Sequence, residues 1–105
     1  MAMNLLSSGY ATLAYEIAEE RASALARLGQ RLENALTALA EYPRTADSNR
    51  EIRKRLVEQA GYALWLFVVQ RESLGLRDSP QLMRDYQVPG EVRARMGMLP
   101  AKVSR

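Results

Sequence analysis

Between Tyr10 and Tyr42 the chain has no proline and a single glycine, and its apolar residues recur at steps of three and four: Leu13, Ile17, Ala24, Leu25, Leu28, Leu32, Leu36 and Leu39. Only an α-helix gathers such positions on one side. Leu25, Leu28, Leu32, Leu36 and Leu39 form one stripe, with Arg27, Arg31 and Glu33 outside it. A helix over about 10–42 would be ~48 Å long at 1.5 Å per residue, the scale of hairpins and bundles. Gly29 lies inside it at a cost of about 1 kcal/mol relative to alanine, which a close helix approach or a slight bend would explain.

Pro43 ends this helix, and Arg44 to Asn49 is polar and turn-like. Ser48-Asn49-Arg50-Glu51 has the serine and glutamate spacing of a capping box, so a second helix is predicted over about 48–74. It carries Ile52, Leu56, Ala60, Ala63, Leu64, Phe67 and Leu74, and Gly75 offers a left-handed stop. Between Leu64 and Val69 the stripe gives way to an unbroken apolar run. At 100° per residue it points all round the helix, so it needs cover on several sides. Asp78-Ser79-Pro80 resembles a helix start with a capping side chain and an early proline, predicting a short helix over 79–86. Val88-Pro89-Gly90-Glu91-Val92 opens another over 89–96. The expected organisation is a single helical domain over 1–97 and a flexible tail over 98–105.

Composition enters through what is missing. The 105 residues contain neither cysteine nor histidine. Disulfides, thiolate chemistry, imidazole metal ligands and every nucleophile–histidine pair are therefore excluded. Glu16, Glu19, Glu20 and Glu33 could be imagined as carboxylates of a di-metal bundle, but that architecture normally adds a histidine to each carboxylate pair. They read as solvated charge. No glycine-rich phosphate loop, nucleophile elbow or zinc motif is present. The residues thus name no catalytic, cofactor-binding or metal-binding group, and the reading leans away from an enzyme.

Residues 1–43 hold three Arg against five Glu, while 44–105 hold twelve basic against seven acidic groups. Such halves suit packing of the first segment beside the second, in the same chain or a neighbour. Met1 to Ser8 has only Leu5-Leu6 and no basic lead, so it does not read as a signal peptide. The longest apolar run, Ala63 to Val69, falls far short of the ~20 residues of a membrane span. A cytoplasmic protein with no membrane partner is the expectation.

Two groups of residues stand out as candidate sites. Leu64, Trp65, Leu66, Phe67 and Val68, with Tyr62 beside them, could line a ligand pocket. Helical spacing in the most apolar segment favours an interface or core instead. Arg71, Glu72, Arg77 and Asp78 form a possible ion-pair cluster or anion site at the end of the second helix. Arg50, Arg53, Lys54 and Arg55 could meet a phosphate backbone, yet Glu51 and Glu58 interrupt them. A solvated face pairing with the acidic first helix is the simpler account, and nucleic acid is disfavoured.

Three stretches carry a resemblance. Tyr15-Glu16-Ile17 with Ala22-Ser23-Ala24-Leu25, then Gln70-Arg71-Glu72 through Gly75-Leu76-Arg77-Asp78, then Tyr86 with Val88-Pro89-Gly90-Glu91-Val92 and Arg95-Met96-Gly97 resemble a small family of uncharacterised bacterial proteins, chiefly proteobacterial, that bears a domain-of-unknown-function label. The resemblance implies a stand-alone helical domain and transfers no functional residue.

These readings converge on an all-α fold: an antiparallel hairpin of two long helices, plus two short C-terminal helices near the apolar section. Two such hairpins would dimerise into a four-helix bundle. The expected function is a non-enzymatic interaction or scaffold protein that self-associates or docks an unidentified protein partner. The alternatives are a nucleic-acid-associated regulator using the basic start of the second helix, and a small-molecule enzyme with carboxylate or tyrosine chemistry.

Overall fold

The computed structural model describes residues 2–45 and 49–98. It is all-α: α1 (Ala2–Glu41), α2 (Arg50–Ser73), α3 (Ser79–Asp85) and α4 (Gly90–Ala94). The two long helices pack as a hairpin, and α4 lies against α2. The predicted tail, Met98 apart, lies outside the described residues, as does Ser48.

α1 begins eight residues before the predicted start at Tyr10. Ala2 to Ser8 contains no proline and includes alanine, methionine and leucine, which favour helix without tertiary help. Asn49 caps α2 in place of the predicted Ser48–Glu51 box: its side-chain Oδ1 accepts from the Glu51 N–H at 2.8 Å and, more loosely, the Ile52 N–H at 3.4 Å. The Tyr42 hydroxyl accepts from the Asn49 N–H at 2.9 Å, which ties the end of α1 to the start of α2.

The other helix ends follow local rules. After α2 the Leu76 N–H donates to the Arg71 carbonyl and the Gly75 N–H to that of Glu72, with Gly75 at φ +85°. This is the paired-bond stop that glycine allows. The same two bonds close α3, from Val88 N–H to the Met83 carbonyl and Gln87 N–H to that of Arg84, yet the left-handed position holds Gln87 at φ +51°. Asp78 caps α3 through Oδ1 to the Gln81 N–H at 3.3 Å, with proline in the first turn as predicted.

The core is a single cluster. Leu32 and Leu39 of α1 meet Val57, Ala60, Ala63, Leu64, Phe67 and Val68 of α2, with Leu82, Val88 and Val92 closing over them. The apolar girdle of α2 is therefore covered from two sides by its own chain: α1 on one, the α3–α4 segment on the other. Gly29 marks a close approach, since a Cβ there would stand 3.2 Å from the Tyr86 hydroxyl and 3.3 Å from Phe67. Phe67 and Tyr86 meet edge-on with ring centroids 5.5 Å apart. Gly61 is closer still: a Cβ would fall 2.8 Å from the Arg95 Cβ and 3.1 Å from its backbone carbon, so α4 crosses α2 at a point with no room for a side chain.

The molecule is long, 73 × 32 × 20 Å, with a radius of gyration of 18.7 Å against about 13 Å for a compact chain of 100 residues. The excess comes from α1, whose 40 residues span ~60 Å beside the ~36 Å of the 24-residue α2. Among the described residues, no helix is long and apolar enough to cross a membrane.

Candidate interaction surface

The first half of α1 projects beyond the hairpin. Every residue from Ser8 to Ser23 is exposed, and beyond that stretch cover begins at Ala24 and Leu25. Tyr10 is 74% exposed, Leu13 55% and Ile17 44%, values for side chains that nothing in the chain touches closely enough to shield. The spacing is helical and the residues are apolar, but α2 ends before it can reach them. Leu13 and Ile17 thus leave the seam in which sequence alone places them with Leu25 to Leu39.

A second bare patch lies on the outer face of α2. Trp65 is 37% exposed and Val69 45%, with half-buried Tyr62 and Leu66 beside them. The Tyr62 and Trp65 rings sit 6.1 Å apart, and the Arg31 guanidinium lies 5.4 Å above the Tyr62 ring, a cation–π contact that ties α1 to this face. Of the five residues predicted as an interface, Leu64, Phe67 and Val68 lie in the chain's own core, so only Trp65 and part of Leu66 reach the surface.

The predicted cluster at the end of α2 does not join up. Arg71 stacks over Phe67 at 5.8 Å, Asp78 caps α3, and Glu72 and Arg77 face solvent. None of the ion pairs among the described residues involves these four. The pairs occur at the other end of α2 and run to α4 and the loop. Arg53 donates both Nη groups to Glu91, Nη1 to Oε1 and Nη2 to Oε2, each at 2.7 Å, and Arg44 adds a bond to Oε2 at 2.9 Å. Arg95 reaches the buried Glu58 carboxylate at 2.8 Å. The acidic α1 supplies no partner to the basic start of α2 in these pairs, contrary to the expectation from charge halves; the partner is Glu91, 38 residues away in sequence. Arg50, Lys54 and Arg55 are left in solvent.

Beside this clamp lies an open cleft of about 580 Å³, floored by Leu39 and walled by Tyr42, Pro43, Arg44, Tyr86 and Glu91. Two of its titratable groups are shifted by their surroundings. Burial pushes the Tyr86 phenol above its ordinary value, with the Glu33 charge adding to the shift, so it stays protonated at neutral pH. The hydrogen bonds from Arg53 hold the Glu91 carboxyl below the ordinary glutamate value, so it stays a carboxylate and accepts. Among the described residues, no group of three or more acidic side chains stands close enough to hold a metal ion.

The Glu91 clamp yields a pH prediction. A carboxyl whose pKa is depressed by folding contributes stability above its unfolded value, near 4.5, and that contribution is lost as the pH falls through the lower folded value. Thermal melts from pH 7 to pH 3 should therefore show a drop confined to the acid side of pH 4.5. Glu91→Gln should melt lower at pH 7 and show a shallower fall in acid. A mutant curve parallel to the wild type would remove Glu91 from the acid response.

The fold and its surfaces define an all-α hairpin protein, closed by two short helices and presenting bare helical faces. The chain belongs to a family of unknown function (DUF6665), whose match covers residues 2–104. No curated protein and no solved structure matches it.

Proposed function

We propose that this chain is a non-enzymatic helical interaction protein that self-associates, with helix-on-helix docking as its working chemistry. The observation that carries the reading is the sixteen-residue stretch Ser8–Ser23, helical and exposed on all sides while bearing Tyr10, Leu13 and Ile17. A lone helix of that length is marginal in water, because most helical stability in proteins comes from packing an apolar face. The buried apolar residues of the hairpin body close its own core and none of them reaches this stretch, which supports cover by a second molecule. Trp65 and Val69 offer a second, smaller contact on the same chain.

Light scattering coupled to size exclusion across a wide concentration range tests this. The expected particle is a dimer of about 24 kDa, twice the 11.8 kDa chain. Leu13→Lys combined with Ile17→Lys should return it to the monomer mass without lowering the melting temperature of the hairpin measured at low concentration. A monomer at every concentration would remove self-association and leave a different protein as the partner.

A further inference from the structure

We propose that the first half of α1 pairs with the same segment of a second copy of the chain, antiparallel across a twofold axis, with Tyr10 of each copy seated against Leu13 of the other. This rests on the self-association reading and specifies its surface and geometry.

Tyr10, Leu13 and Ile17 follow one another at steps of three and four, and the sequence carries that alternation back through Leu6 to Met3. Alternating steps of this kind make the two-position seam of a coiled coil, narrower than the broad stripe that a core-facing helix shows. In an antiparallel pair the two seam positions alternate across the interface. Tyr10 then faces Leu13 of the other copy, which puts the twofold axis between positions 11 and 12.

Charge selects this orientation over the parallel one. The described bare stretch is Ser8–Ser23, sixteen residues or ~24 Å. In the antiparallel pair the two hairpin bodies sit at opposite ends. Glu16, Glu19 and Glu20 lie at the root of the segment with only Arg21 beside them. Antiparallel pairing sets those three carboxylates against the N-terminal end of the other copy's α1, the positive end of its helix dipole. Parallel pairing would set six glutamates side by side and bring together two bodies that each carry a basic excess.

The chain has no cysteine, so introduced thiols report position without background. Tyr10→Cys and Leu13→Cys chains bearing different affinity tags are mixed and oxidised mildly, and Ile17→Cys is oxidised alone. The mixed 10–13 disulfide is expected to form at least ten-fold faster than the Ile17→Cys homodimer. In the antiparallel pair the two copies of position 17 stand about eleven residues apart along the axis, ~16 Å, beyond the reach of a disulfide. A rapid Ile17→Cys homodimer would mean parallel pairing and overturn the proposal. A 24 kDa particle in which none of the three positions cross-links would overturn it as well, while leaving self-association in place through another surface such as the Trp65 face. A wild-type chain that stays monomeric at every concentration would remove both. All three positions are exposed, so far-UV circular dichroism should give the same melting curve for the variants as for the wild type.

Discussion

Replacing Leu64 with alanine is expected to lower the stability of the hairpin by roughly 3 to 5 kcal/mol, the upper range for a leucine lost from a closed site. Leu64 is 0% exposed, as are Leu32 of α1 and Val92 of α4 in the same cluster. Cover on two sides leaves the surroundings little freedom to collapse into the space. The core is also small, with eleven buried apolar residues among the described residues. Domains of this size are stable by about 5–15 kcal/mol, so one truncation removes a large share. A loss of ~4 kcal/mol corresponds to a fall in melting temperature on the order of 15–30 °C. Urea unfolding followed by circular dichroism should show the midpoint falling with an unchanged slope. Leu13→Ala provides the contrast, because its side chain is 55% exposed and its removal should change the stability of the hairpin itself by less than about 0.5 kcal/mol. A Leu64→Ala loss below about 1 kcal/mol would mean that the girdle is not held between α1 and α4.

That contrast marks where sequence reasoning ends. Periodicity identifies Leu13 and Leu32 alike as members of one apolar series, because both obey the same three-and-four spacing. It carries no information on how far the partner helix extends. The length of α2 decides the matter, and its two ends were legible from the polar turn that follows Pro43 and from Gly75, each a local backbone effect. Setting the predicted lengths of the two helices side by side already implies an unmatched stretch on α1. The need of the Leu64–Val69 run for cover on several sides was legible for the same geometric reason. The two short C-terminal helices were expected near that run, and Leu82, Val88 and Val92 of the α3–α4 segment do join its core.

The ionic contacts were less accessible. Arg53 and Glu91 sit 38 residues apart, and neither lies in a motif that would announce the pair. The charge halves pointed to α1 as the partner of the basic start of α2, a sum over many residues that says nothing of which side chains meet. Arg71, Glu72, Arg77 and Asp78 are close in sequence, but a helix end and a turn send them in different directions. Gly61 was the missed signal. A glycine inside a helix costs about 1 kcal/mol and calls for a reason, and at Gly61, as at Gly29, the reason is another part of the chain pressed against the backbone.

Gly61→Leu is accordingly expected to destabilise the fold by more than about 3 kcal/mol, even though leucine is the better helix former. A Cβ alone would stand 2.8 Å from the Arg95 Cβ and 3.1–3.2 Å from its backbone carbon and oxygen. Shortening the Arg95 side chain cannot relieve a contact with its backbone, so α4 itself has to move away. Overpacking of this kind costs about 1–3 kcal/mol where the site can adjust. Here the displacement has a second consequence. Arg95 donates to the buried Glu58 carboxylate at 2.8 Å, one turn before Gly61 on α2, and once α4 shifts that carboxylate loses its partner. Arg95→Met in the wild-type background should on its own be destabilising for the same reason. The two changes should therefore not add: with Gly61→Leu already present, Arg95→Met should cost little more, giving a coupling of about 1 kcal/mol or more in a double-mutant cycle measured by urea unfolding. Full additivity would mean that α4 keeps its place when Gly61 gains a side chain, and that the close approach at Gly61 does not position Arg95 over Glu58.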